Sequence, residues 1–144
     1  MPVHRPGLQV GDSAVRDVLL TADDIVRHAT EFGDTNPLHH DEPLARASRF
    51  GALIASGAHL TALLTGLLGA FTTSRGPGVG LEVSYQFHRA ARPGDALRLR
   101  WEVVGVAPSA KLGGDVLSLA GEIREQRGGV ILVRGLAKVL NREL

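Results

Sequence analysis

The chain has 144 residues, with 16 Lys or Arg against 15 Asp or Glu. A formal net charge of +1 argues against a nucleic-acid coat or a polybasic membrane anchor. A content of 44% hydrophobic and 22% charged residues excludes disorder as the main state, and the absence of cysteine excludes a disulfide framework, a thiolate nucleophile and a cysteine zinc site.

The length predicts one domain over residues 1–144, and the lack of cysteine fits a reducing, cytoplasmic setting. One Trp, one Tyr and four Phe leave the core to aliphatic side chains. A domain of this size buries roughly two thirds of its unfolded surface, so little length remains for a deep substrate tunnel and its walls. Residues 1–7 have no apolar central region and do not read as a signal peptide.

Residues 8–20 read as extended chain with a turn at Gly11-Asp12. Thr21 then caps a helix, with Asp24 three residues on, and Ile25, Ala29 and Phe32 recur at helical spacing before Gly33 ends it. Asp34-Thr35-Asn36-Pro37 must be a loop, because Pro37 forbids a continuing helix. Residues 41–48 predict a short helix.

Residues 50–74 carry no Asp, Glu, Lys or Arg, a run long enough to span a bilayer. Ser56, His59, Thr61 and Thr65 interrupt it, and no second span accompanies it. We read it as a helix over residues 51–71 enclosed by protein, not by membrane.

Beyond a glycine-rich connector at residues 75–80, the hydrophobic period changes to two. Residues 79–89 predict a strand with Leu81, Val83, Tyr85 and Phe87 on one side. After a turn at Arg92-Pro93-Gly94-Asp95, Leu97, Leu99, Trp101 and Val103 alternate with Arg98, Arg100 and Glu102. Residues 116–126 and 130–141 predict two further strands around Gly128-Gly129. The class is α+β: one antiparallel sheet around one central helix. Such a sheet leaves edge strands and an open rim, which predicts pairing with a second copy.

The loop from Gly33 to His39 is the candidate for chemistry. Turn residues alone explain a turn, but this loop also sets a carboxylate and an imidazole five residues apart on non-helical backbone. An Asp beside a His suits activation of water. Ser56-Gly57 opens the uncharged helix soon after, and unpaired N–H groups at a helix start favour negative charge developing on an oxygen.

Phe32-Gly-Asp-Thr-Asn-Pro-Leu-His39, Asp41, Ala45-Arg-Ala-Ser48, Phe50-Gly51, Ile54-Ala-Ser-Gly57 and Thr65-Gly-Leu-Leu68 together resemble the hydratase-2 motif of the MaoC-like, R-specific enoyl-CoA hydratases of the hot-dog superfamily. Phe87-His-Arg-Ala-Ala-Arg-Pro-Gly-Asp95 resembles a strand turn of the same family. The resemblance implies a single hot-dog domain, a homodimer or higher even oligomer, and reversible hydration of trans-2-enoyl thioesters to (R)-3-hydroxyacyl thioesters. It implies Asp34 and His39 as the catalytic pair, the Gly57 N–H as oxyanion donor beside Ser56, and Asn36 and Thr65 as residues that order the loop. The substrate would be an acyl thioester of coenzyme A or acyl carrier protein, with no further cofactor and no metal. Many family members carry a His where this chain has Ser56.

Two other functions stand beside that one. A hot-dog acyl-thioesterase usually has a carboxylate on the central helix, and residues 50–74 contain none. A non-catalytic partner subunit of a heteromeric dehydratase commonly lacks the Asp and His that are present here. Elsewhere, His40 is adjacent to His39 and points away from it, so the two read as an exposed residue and a site residue, not a metal pair. His59 reads as a core or pocket histidine. Arg75, Arg89, Arg92, Arg98 and Arg100 are candidates to meet coenzyme A phosphates, against a default of solvated surface.

Overall fold

A computed structural model describes residues 7–142; apart from Gly7, the stretch weighed as a signal peptide lies outside them. Strand β1 (Ser13–Leu19) leads into helix α1 (Ala22–Glu31). The Thr21 side chain caps α1 by accepting the Asp24 N–H at 3.1 Å, and Asp23 and Asp24 place negative charge at the positive end of its dipole. The other end closes in a Schellman motif: Gly33 N–H reaches the Thr30 carbonyl at 3.1 Å and Asp34 N–H the Ala29 carbonyl at 2.9 Å. Gly33 takes φ +72°, which its missing Cβ allows.

A 3-10 turn (Pro37–His39) and helix α2 (Glu42–Ala47), capped by Asp41, follow. Helix α3 (Gly57–Thr72) begins six residues later than the uncharged run predicts. The Ser56 hydroxyl accepts the His59 N–H at 3.1 Å and so fixes the start. The backbone just before it is engaged elsewhere: Ile54 N–H bonds the Leu38 carbonyl and Ala55 N–H the Ala91 carbonyl. Among the described residues no helix is long and apolar enough to cross a membrane.

The remaining strands are β2 (Gly78–Phe87), β3 (Ala96–Ser109), β4 (Gly114–Glu125) and β5 (Ile131–Asn141). They form one antiparallel sheet in the order β1-β3-β4-β5-β2. Although the turn at residues 92–95 joins β2 to β3, the two do not pair; β2 runs to the far edge and pairs with β5. That turn instead clamps β1, through Leu20 N–H to the Asp95 carbonyl and Gly94 N–H to the Leu20 carbonyl.

Leu97, Leu99, Trp101 and Val103 point inward beneath α3, as their alternation predicts, and meet Leu60, Leu64, Leu67, Leu68 and Phe71 in one core. A single rung crosses all five strands: Ala14, Trp101, Gly121, Gly135 and Tyr85. The Trp101 ring lies over the two glycines; a Cβ on Gly121 would stand 2.5 Å from it and one on Gly135 3.0 Å. The indole N–H donates to the Leu64 carbonyl at 2.7 Å, which fastens the middle of α3 to the sheet. Of the four apolar residues expected on one side of edge strand β2, Tyr85 is half-buried, while Leu81, Val83 and Phe87 are exposed.

Candidate active site

The Schellman end of α1 delivers Asp34, and three short-range bonds then shape the loop. Asp34 Oδ1 accepts the Asn36 N–H at 3.0 Å, Asn36 Oδ1 accepts the Leu38 N–H at 3.1 Å, and the Asn36 carbonyl accepts the His39 N–H at 3.0 Å. These are the Asx contacts that Asp and Asn make in tight turns. They consume one oxygen of Asp34 and leave Oδ2 open.

Oδ2 lies 3.5 Å from His39 Nε2. The two side chains differ in environment: His39 is 6% exposed and Asp34 36%. The opposite nitrogen of the ring, Nδ1, is 2.7 Å from the Ile54 carbonyl. A carbonyl only accepts, so Nδ1 carries the proton and Nε2 of the neutral ring presents a lone pair to Asp34. Two acceptors thus face each other at a separation that one water bridges by donating a hydrogen to each.

His40 is half-buried, not exposed as the sequence predicts. Its Nε2 donates to the Asp34 carbonyl at 2.6 Å, bracing the same loop from behind. Ile54 holds the loop twice, by its N–H to Leu38 and by its carbonyl to His39. Three residues on, α3 starts. The hydroxyl of fully buried Ser56 takes the His59 N–H, while the Gly57 and Ala58 N–H groups meet no acceptor among the described residues. The N-terminal dipole of α3 adds to those two donors. The Phe87 ring closes over Gly57 so tightly that a Cβ there would sit 3.1 Å from it.

Thr65 does not join this group. Its hydroxyl bonds the Tyr85 hydroxyl at 2.5 Å, and no hydrogen bond ties it to Asp34 or His39 among the described residues. Two helical turns, about 12 Å of rise, separate it from Gly57. Burial pushes the Tyr85 phenol up, and the Thr65 hydrogen bond partly opposes that shift.

The sequence offered no sign of Ile54 and His40 as supports. Ile54 acts through backbone atoms that any residue carries, and His40 acts on a carbonyl that only the folded loop brings near. Of the arginines weighed for phosphate contact, Arg98 is held by Asp17 at 2.8 and 3.1 Å, Arg75 by Asp12 at 3.3 Å, and Arg100 faces Glu102 at 3.4 Å. Arg92 donates Nε to the Phe50 carbonyl at 2.8 Å and shares a cavity lining with Arg89. Among the described residues no group of three His, Asp or Glu could hold a metal ion.

The family model of the MaoC like domain matches residues 8–118. A 3-hydroxybutyryl-CoA dehydratase of Methylorubrum extorquens is 32% identical over 105 residues, which cover 72% of this chain and 66% of that protein. A second curated relative is matched over 40% of its own length, so the chain spans less than two thirds of either. Among solved structures, a MaoC-like dehydratase from Rhodospirillum rubrum superposes with a TM-score of 0.81 at 32% identity, covering 95% of each chain. An (R)-hydratase from A. caviae gives 0.79 at 30% identity, over 93% of this chain and 97% of that one. The sheet of five antiparallel strands packed on α3 is the hot-dog fold of these relatives.

Proposed function

The chain belongs to the MaoC-like dehydratase family, whose hydratase and dehydratase members are lyases, and from that membership we propose that it adds water reversibly to trans-2-enoyl thioesters, giving (R)-3-hydroxyacyl thioesters. The observation that carries this reading is the Asp34 Oδ2 to His39 Nε2 approach at 3.5 Å, with His39 Nδ1 pinned to the Ile54 carbonyl.

Asp34 and His39 hold one water by its two hydrogens, leaving an oxygen lone pair for C3 of the substrate. As that oxygen bonds C3, His39 Nε2 takes a proton from the water. The electron pair of the C2–C3 double bond moves toward the thioester oxygen, where the Gly57 N–H and the α3 dipole meet the enolate charge. The same pair returns a proton to C2, so water is added without an outside acid or base. No cofactor is needed beyond the coenzyme A or acyl carrier that holds the acyl group.

A second copy of the chain completes this proposal. Edge strand β2 exposes Leu81, Val83 and Phe87, the last of them beside Gly57, and unpaired edges of this kind are normally covered. A homodimer formed there supplies the missing wall of the acyl slot, in a cytoplasmic protein without cysteines.

The test is a panel of trans-2-enoyl-CoA substrates of different length, followed by loss of the enoyl absorbance and chiral analysis of the product. Hydration to the (R)-3-hydroxyacyl product supports the reading. Release of free coenzyme A without hydration replaces it with a thioesterase. Protein inert alone but active with a second hot-dog chain makes it a partner subunit.

A further inference from the structure

Two histidines that the site does not use lie face to face between α1 and α3. The His28 and His59 rings are 4.2 Å apart between centroids and inclined by 37°. His59 is 2% exposed, and Phe32 stacks on His28 at 5.9 Å. Nδ1 of each ring is buried and has no hydrogen-bond partner among the described residues. Buried polar atoms are rarely left so, and two of them in contact call for a reason.

Their positions supply one. His28 lies in the last turn of α1, one residue before Ala29, whose carbonyl holds the Asp34 N–H. His59 is the third residue of α3, and its N–H takes the Ser56 cap beside Gly57. The stack therefore joins the two helix ends that carry the water-holding carboxylate and the oxyanion donor.

We propose that the His28–His59 stack is a joint that holds the Asp34 end of α1 against the Gly57 end of α3 while His59 is neutral, and that protonation of His59 in acid opens it; this rests on the hydratase reading of Asp34 and Gly57. His59 is then a positioning residue and touches no substrate.

Neutral rings gain dispersion from the stack. A proton on the buried His59 Nδ1 finds no acceptor and faces the His28 ring across the stack. The charged groups acting on His59 besides His28 are Asp24 and Arg27, both on α1, and helix α3 brings none. Asp24 already bonds Arg27 at 2.8 Å, and Glu31 stands 3.7 Å from His28 Nδ1 and 3.8 Å from Arg27. Burial pushes the His59 imidazole down to about 4, His28 pushes the same way, and Asp24 opposes. A folded value below the usual 6.5 means that the unfolded chain binds the proton first. The stack's contribution is then whole above about pH 6.5 and drains away as the pH falls toward 4.

The experiment records His59 ring and backbone amide NMR signals from pH 7 to 4, on the wild type and on His59→Phe. A His59 midpoint below pH 5, with Asp34 and Gly57 amides moving at that midpoint and holding still in His59→Phe, supports the joint. Titration near pH 6.5, or titration that leaves those amides in place, overturns it. Thermal denaturation gives a second reading: wild-type Tm falls between pH 6.5 and 4.5 and the fall flattens in His59→Phe, whereas an equal fall in that variant overturns the joint. Neither readout needs substrate, so a protein inactive on enoyl-CoA would remove the hydratase reading and leave the joint decidable.

Discussion

His39 gives its Nδ1 proton to the backbone carbonyl of Ile54 at 2.7 Å, and this one bond decides which nitrogen of the ring can act as a base. Ile54 lies only three residues before Gly57, so the tautomer of the proposed base and the position of the proposed oxyanion donor depend on the same stretch of chain. The site is therefore one unit in which loop and helix start are set together.

Removal of either acceptor of the proposed bridging water should abolish hydration without unfolding the chain. Asp34→Asn and His39→Ala are each expected to lower kcat on a short trans-2-enoyl-CoA by about 10²–10⁴-fold. Tm should stay close to wild type for Asp34→Asn, because its amide oxygen can still take the Asn36 N–H. Full turnover by either variant would remove the pair from the mechanism.

Asn36→Ala should act more mildly. It deletes the acceptor for the Leu38 N–H but leaves the Asn36 carbonyl on the His39 N–H. A drop in kcat of about tenfold with KM little changed is expected, since a loosened base costs about 1.4 kcal/mol in the transition state.

Thr65→Val separates the structural role of that residue from the role implied by family resemblance. In this chain its hydroxyl serves Tyr85, so the loss should be about 1 kcal/mol of stability from the unpaired phenol. Turnover should remain within a few-fold of wild type. A fall as deep as that of His39→Ala would return Thr65 to the Asp34–His39 loop.

The glycine beneath the indole gives a sharper stability test. Gly121→Ala places a Cβ 2.5 Å from Trp101 Cε3, on a ring locked by its bond to Leu64 and unable to retreat. A cost of at least about 2 kcal/mol is expected from overpacking. Gly57→Ala meets Phe87 instead, an exposed ring 55% open to solvent that can swing aside, and should cost less in Tm than Gly121→Ala. Thermal denaturation of the two variants side by side decides the comparison.

Much of the fold lies in plain view along the chain. Thr21 and Asp24 mark the start of α1, Gly33 its end, and the Leu97 to Val103 alternation the inner face of β3. Each is a contact between near neighbours, so residue type and spacing are sufficient. The start of α3 misled because residues 51–56 are as uncharged as the helix that follows, and composition does not report where backbone bonds go. Pairing of β2 with β5, not β3, was equally hidden, since register across tens of residues is decided by which strand closes the sheet.

The sequence by itself determined a cysteine-free, nearly neutral composition, the uncharged helix, and an Asp and a His five residues apart in a loop that cannot be helical. Only the tertiary structure decided what those residues face. It gave His39 its tautomer through a backbone carbonyl, turned Thr65 toward Tyr85, set His40 behind Asp34, and stacked His28 on His59. Side-chain identity specifies which bonds a residue can make. The partner is chosen by packing of distant segments, and each of these partners lies on a segment brought up by the sheet, the loop or a second helix.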